Sequence, residues 1–129
     1  MTAYAPPGWP EQVRPPGAPD WQSQAVGYLL DHCPPDFRAE GLFRRHPAVL
    51  AVFAAECVRG QQRAAMDGLA ASRVDLAELA APDVIDHAVD LWQQEAARLV
   101  RVARGVDLLR RALAGERFVP KIGVGGGRT

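Results

Sequence analysis

An all-α fold is predicted: a long antiparallel helical hairpin, preceded by a short helix and a proline-rich arm. Three observations predict it. Apolar residues return at steps of three and four from Ile85 through Ala88, Trp92, Glu95, Leu99, Val102, Val106 and Leu109 to Leu113. That is a coiled-coil-like seam in which Glu95 is the only polar member. A second, less clean stripe runs Leu50, Ala54, Cys57, Gln61, Ala65, Leu69, Ser72, Leu76 and Leu79. Only the tight turn Ala80–Pro82 separates the two, and a short link makes antiparallel neighbours.

The elements follow in order. Residues 1–19 carry Pro6, Pro7, Pro10, Pro15, Pro16 and Pro19. Proline fixes φ and removes a donor, so an extended or polyproline-like arm is expected. Trp9 and Trp21 flank it, and the burial a tryptophan offers predicts an arm strapped across the helices with Trp9 docked. Asp20 suits an N-cap for a first helix over about Trp21–His32, burying Trp21, Ala25, Tyr28 or Leu29, and Cys33. Pro34 and Pro35 end it, and Asp36 is placed to cap a short turn through Phe37, Leu42 and Phe43. Pro47 opens the third helix; Pro82 opens the fourth, with Asp83 and Asp86 in its first turn, where the helix dipole favours acids. Gly115 is the natural stop, after Arg110 and Arg111. Phe118, Val119 and Pro120 are expected to pack back, and 123–129 read as a flexible end. The organisation expected is an arm (1–19), a helical domain (20–115) and a tail (116–129).

Folding the hairpin at its turn places Ile85 near Leu79, Trp92 near Ser72, Glu95 near Leu69 or Ser72, Leu99 near Ala65 and Leu113 near Leu50. Val84 and Leu91 widen the apolar face on one flank, and Val89, Ala96 and Ala103 on the other. Such a face exceeds a two-helix contact. Exposed apolar surface along the hairpin is therefore predicted, most simply buried by a second copy in a four-helix homodimer.

Composition narrows the classes. Fifteen basic and fifteen acidic side chains cancel, which gives no electrostatic reason for nucleic acid or an anionic membrane as main partner. Lys121 is the only lysine, asparagine is absent, and isoleucine occurs only at 85 and 122, a bias of GC-rich coding. Cys33 and Cys57 have neither disulfide-framework nor zinc spacing, and Cys57 reads as a small core residue. No segment reads as a secretion signal or a membrane span, so a cytoplasmic, reduced setting is expected.

No catalytic, cofactor or metal constellation converges. Glu95 in an apolar seam is the sharpest anomaly: either a ligand-binding or acid–base group, or a carboxylate paired with Ser72 or Arg73 across the hairpin. Neither Glu56 nor Glu95 is followed by histidine three residues on, which excludes a di-iron bundle. His87, with Asp83 and Asp90, fits a solvated acid-rich helix start better than a metal site. Arg44 and Arg45, beside His46, suit an anionic partner. Arg98, Arg101, Arg104 and Arg111 give the last helix a basic face, readable as a phosphate-contacting surface or as dipole complementation. The glycine-rich end is no nucleotide loop, since no Gly-Lys-Ser/Thr follows a strand.

The segments PPGWPEQVRPPG, YLLDHCPPDFR, LFRRHPAVLA and GERFVPKI resemble those of short, functionally uncharacterised helical proteins of high-GC Gram-positive bacteria (actinobacteria). The resemblance implies a bacterial cytoplasmic origin and assigns no activity. The reading is therefore a non-enzymatic interaction or regulatory protein. Its partner is a second copy or another protein, contacted through Trp9, Arg44, Arg45, Trp92, Glu95, Arg98, Arg101, Arg104 and Arg111. The alternatives are a nucleic-acid-binding regulator using the arginine face and a small-molecule-binding bundle built around Glu95 and Trp92.

Overall fold

The computed structural model describes residues 4–121, so the tail expected to be flexible from 123 lies outside the described residues. Four α-helices follow in order: α1 (Trp21–Leu30), α2 (Gly41–Arg45), α3 (Pro47–Asp75) and α4 (Pro82–Leu113), with a 3-10 turn at Pro35–Ala39 before α2. The long helices α3 and α4 pack against each other as an antiparallel hairpin, and the described residues contain no strand. The expected all-α hairpin is what the chain forms.

Both long helices open on proline in the first turn, where its missing N–H costs no hydrogen bond. α4 ends as Gly115 predicts. The Gly115 N–H donates to the Ala112 carbonyl at 3.0 Å and the Glu116 N–H to Arg111 at 3.0 Å, with Gly115 at φ +99°. This is a Schellman closure, which needs a residue at ease in the left-handed region.

Two caps differ from expectation. Asp20 sits at φ +65°, outside the extended backbone usual for an N-cap, and makes no side-chain cap bond. Glu40, not Asp36, caps the next segment: its carboxylate accepts from the Leu42 N–H at 3.5 Å. α1 is also two residues shorter than expected and turns Ala25, Val26, Leu29 and Leu30 inward.

The arm is not extended. Pro6–Trp9 and Pro15–Ala18 each close a tight turn, the fourth N–H donating to the first carbonyl at 3.0 Å. Each contains Pro-Pro-Gly, with Gly8 at φ +92° and Gly17 at φ +88°. Proline pre-sets the second position of such a turn and glycine supplies the positive φ of the third. The Trp9 indole N–H then donates to the Val13 carbonyl at 2.9 Å and to Arg14 at 3.2 Å, so the arm folds around its own tryptophan. The Trp9 ring lies 6.1 Å from Trp21 and 6.3 Å from Phe118, which docks both the arm and the segment after α4.

The core sits at the open end of the hairpin. Leu50, Ala51, Ala54, Val58 and Ala65 of α3 meet Leu99, Val102, Val106 and Leu109 of α4; α1, Phe43 and Val13 cover them. Phe37, Phe43 and Phe53 close that end with ring centroids 5.0–6.0 Å apart. Gln61, a polar break in the α3 stripe, is explained by its amide donating to the His32 carbonyl at 3.0 Å. Cys57 is half-buried, and Val58 takes the fully buried place beside it.

The hairpin register differs from expectation by one turn. α3 ends at Asp75, so six residues and not a tight turn lead into α4. Trp92 consequently lies over Gly68 in place of Ser72. A Cβ on Gly68 would collide with the indole ring. Ser72 is buried and bonds its own helix, donating to the Gly68 carbonyl at 2.5 Å.

Two glycines in α3 therefore respond oppositely to the same change. At Gly60 nothing lies within 4 Å of an added Cβ, so Gly60→Ala gains about 0.5–1 kcal/mol of helix propensity. At Gly68 the rigid indole must move, and Gly68→Ala loses about 1–3 kcal/mol to overpacking. Urea unfolding followed by circular dichroism separates the two; equal stabilisation by both refutes the register.

Candidate functional site

The structure separates the candidate residues into three places. The first is a groove of about 780 Å³ between the arm, the C-terminal end of α1 and α4. Its walls include Trp9, Arg98, Arg101 and Arg104, four of the candidate residues, joined by Tyr28 and His32, which the sequence pattern did not single out for a site. Gly105 makes this meeting possible. A Cβ there would stand 3.0 Å from Pro10 on the arm and 3.0 Å from the Tyr28 hydroxyl on α1. The arm thus lies against the back of α4, and Gly105, Leu108 and Ala112 are buried on a side the apolar stripe does not include. Arg104 ties the arm further, donating to the Pro7 carbonyl at 3.4 Å.

The charges around the groove are mostly paired. Both Glu95 oxygens accept from Arg98 at 2.8 Å, a bidentate pair on one helix. This corrects the expected pairing across the hairpin: Glu95 reaches neither Ser72 nor Arg73, and Arg73 instead pairs with Asp86 at 2.8 Å. The hydrogen bond from Arg98 holds the Glu95 carboxyl below its ordinary range. Asp31, at the groove edge, is engaged by Arg38 at 2.5 Å. Arg101 and Arg104 make no salt bridge among the described residues. Burial pushes the Tyr28 hydroxyl up and His32 down, Arg98 adding to the latter, so the His32 ring is neutral at pH 7. The two rings meet edge-on at 4.8 Å.

The second place is the distal hairpin, where Trp92 covers Gly68 without lining the groove. There Val74 is 79% exposed, Leu79 78%, Val84 53% and Leu91 54%. The third comprises the remaining arginines. Arg111 is held by Glu116 at 2.5 Å and by Asp107 at 3.4 Å, with its guanidinium 5.2 Å from the Phe118 ring. Arg44 and Arg45 stand exposed on α2, Arg44 beside Gln22 and Ser23 of α1. The basic face is thus divided, with Arg98, Arg101 and Arg104 at the groove and Arg111 closed off by acids.

Cys33 and Cys57 are free thiols. Burial, and then the neighbouring Cys57, push the Cys33 thiol up to about 12. Its Sγ donates to the Leu29 carbonyl at 3.3 Å, which favours the protonated form. No group of three or more His, Cys, Asp and Glu is placed to hold a metal ion among the described residues.

Two predictions follow from the surroundings of Cys33 and Glu95. The thiolate is the nucleophile, so at pH 8 native Cys33 is alkylated by iodoacetamide about a hundredfold or more slowly than in urea. Mass spectrometry of timed aliquots measures it, and equal rates refute the buried, protonated thiol. Glu95 has a depressed carboxyl, so its pairing favours the folded chain above the ordinary carboxylate range and is lost as pH falls through the folded value. Its side chain is 35% exposed, which limits Glu95→Gln to a loss of about 1 kcal/mol or less at pH 7. The gap between the melting curves of the two proteins should close as pH falls through the folded-state value of Glu95; a gap that ignores pH refutes the ion pair as its source.

Comparison with family models, curated proteins and solved structures returned no match, so the functional reading rests on this geometry.

Proposed function

We propose that this chain is a non-enzymatic helical interaction protein that associates with a second copy of itself through the distal half of its hairpin. One observation carries the reading. Val84 and Leu91, seven residues apart on one flank of α4, are each more than half exposed, where no third helix reaches. Val74 and Leu79 extend the apolar surface at the tip. A two-fold axis sets this flank against its own copy, so one contact pattern covers the apolar side chains of both copies. Zero net charge leaves two copies without long-range repulsion. The product is a four-helix arrangement of two hairpins.

The non-enzymatic part of the reading is supported by the state of the reactive groups. Cys33 is held as a thiol and Glu95 is clasped by Arg98. A cytoplasmic, reducing setting fits two free thiols; among the described residues no helix is long and apolar enough to cross a membrane. Nucleic-acid binding is the weaker reading. It calls on Arg98, Arg101, Arg104 and Arg111 together, and two of these are neutralised by Glu95 and Glu116. The Glu95–Trp92 ligand site has little support, since both residues lie outside the groove walls.

Sedimentation equilibrium from micromolar to hundreds of micromolar tests the association. A monomer–dimer equilibrium is expected, and Leu91→Glu should abolish it while leaving helix content unchanged, with melting unchanged at concentrations where the wild type is monomeric, because the position is already exposed in one copy. A wild-type chain that stays monomeric throughout refutes the proposal.

A further inference from the structure

We propose that the groove between the arm, α1 and α4 binds a small organic anion: a carboxylate or phosphate carried on a flat, largely apolar body. This site is separate from the distal flank and does not rest on self-association.

Size and lining come first. A volume of about 780 Å³ falls within the range of small-ligand pockets, and most of the wall is apolar. Trp9 and Pro10 form one side, Tyr28 and His32 another, and Val102 with the arginine stems the third. Flat apolar surface can be buried between such walls.

Charge then selects the sign. Three arginines occur at successive three-residue steps along α4, and all three line the groove. Arg98 is satisfied by Glu95, so its charge is balanced. Arg101 and Arg104, almost one turn apart, have no carboxylate partner among the described residues. Two acids also line the groove. Asp31 is engaged by Arg38, which leaves Glu11 as the one lining carboxylate without an ion pair among the described residues. Two available guanidinium groups against one carboxylate make the groove positive in a chain of zero net charge. Adjacent guanidinium forks suit the oxygens of a carboxylate or phosphate, which accept several N–H bonds at once.

The uncharged polar groups fit the same ligand. The Tyr28 hydroxyl is directed to the Gly105 side of α4, and no hydrogen bond contributes to its raised pKa. It stands as a donor for an oxyanion or an acceptor for a ligand N–H. The neutral His32 ring adds one donor and one acceptor without a charge.

Isothermal titration calorimetry with four probes tests this. 2-Naphthoate and 2-naphthyl phosphate supply the two anions on one flat body, 2-naphthylmethanol lacks the charge, and inorganic phosphate lacks the body. Saturable binding of at least one naphthyl anion is expected, about tenfold or more tighter than the alcohol and than inorganic phosphate; which anion wins identifies the headgroup class. Arg101→Ala and Arg104→Ala should each weaken that anion about tenfold. Arg101 makes no ion pair among the described residues, so its variant should melt as the wild type does and keeps the test valid if loss of Arg104 loosens the arm. Three results overturn the proposal: no saturable binding by either naphthyl anion to 10 mM (about the weakest useful limit), equal binding of the alcohol, or inorganic phosphate binding as tightly as the ester. Unchanged binding to Arg101→Ala overturns it as well.

Discussion

The long helices outreach everything else in the chain. At about 1.5 Å per residue, the 32 residues of α4 span about 48 Å, while the 10 residues of α1 span about 15 Å. A third helix of that length can cover only one end of the hairpin. It settles at the open end, where Leu50, Ala54, Val58 and Leu99 form the fully buried interior. Beyond Ala65 and Leu99 the hairpin holds together through the contact of its two helices alone. Ile85, Val89 and Ser72 are buried there, yet none belongs to the main cluster. The uneven cover decides which apolar residues remain on the surface, and so where a second body gains most by docking.

The same shortage explains the arm. α4 near Gly105 needs cover on the side away from α3, and α1 cannot wrap it. Two Pro-Pro-Gly turns fold residues 6–18 into a compact pad, pinned by the Trp9 indole and by the Arg14 N–H donating to Gln24 of α1 at 2.7 Å. A pad built from turns is shorter and thicker than a polyproline strap. It buries Val13 and Pro10 and leaves a groove where its edge, α1 and the arginines of α4 do not quite meet.

Much of the fold was legible in residue spacing. The α4 seam, the prolines at both helix starts and the Gly115 stop each act through local chemistry that one stretch of chain specifies. The misses share a cause. Asp20 and Asp36 are good caps in isolation, but the backbone that arrives at them is set by the preceding turns. The register slipped by one turn because the stripe through Leu76 and Leu79 continues as a pattern after the helix itself has ended at Asp75. Proline's φ alone predicts an extended arm, whereas the Pro-Gly steps carry the turn signal that prevails. Of the candidate site, Trp9 and the arginines were visible as residue types. Their convergence with Tyr28 and His32 was not, because it depends on how closely an arm and a helix distant in sequence approach one small residue, Gly105.

α4 therefore serves two surfaces that differ in chemistry and in place. Its distal flank is aliphatic and carries Val84 and Leu91; its proximal back is cationic and carries Arg101 and Arg104. Leu91 and Arg101 are ten residues apart, about 15 Å along the axis. Perturbations at that distance with no shared partner add independently. The Glu95–Arg98 pair stands between them on the same helix and faces the groove wall with its guanidinium. The pair is balanced, so the positive field of the groove does not extend through it onto the aliphatic flank. An unpaired Arg98 would place a cation about two turns from both Leu91 and Trp92. The carboxylate that breaks the apolar seam is thus best understood as the element that lets one helix present both surfaces.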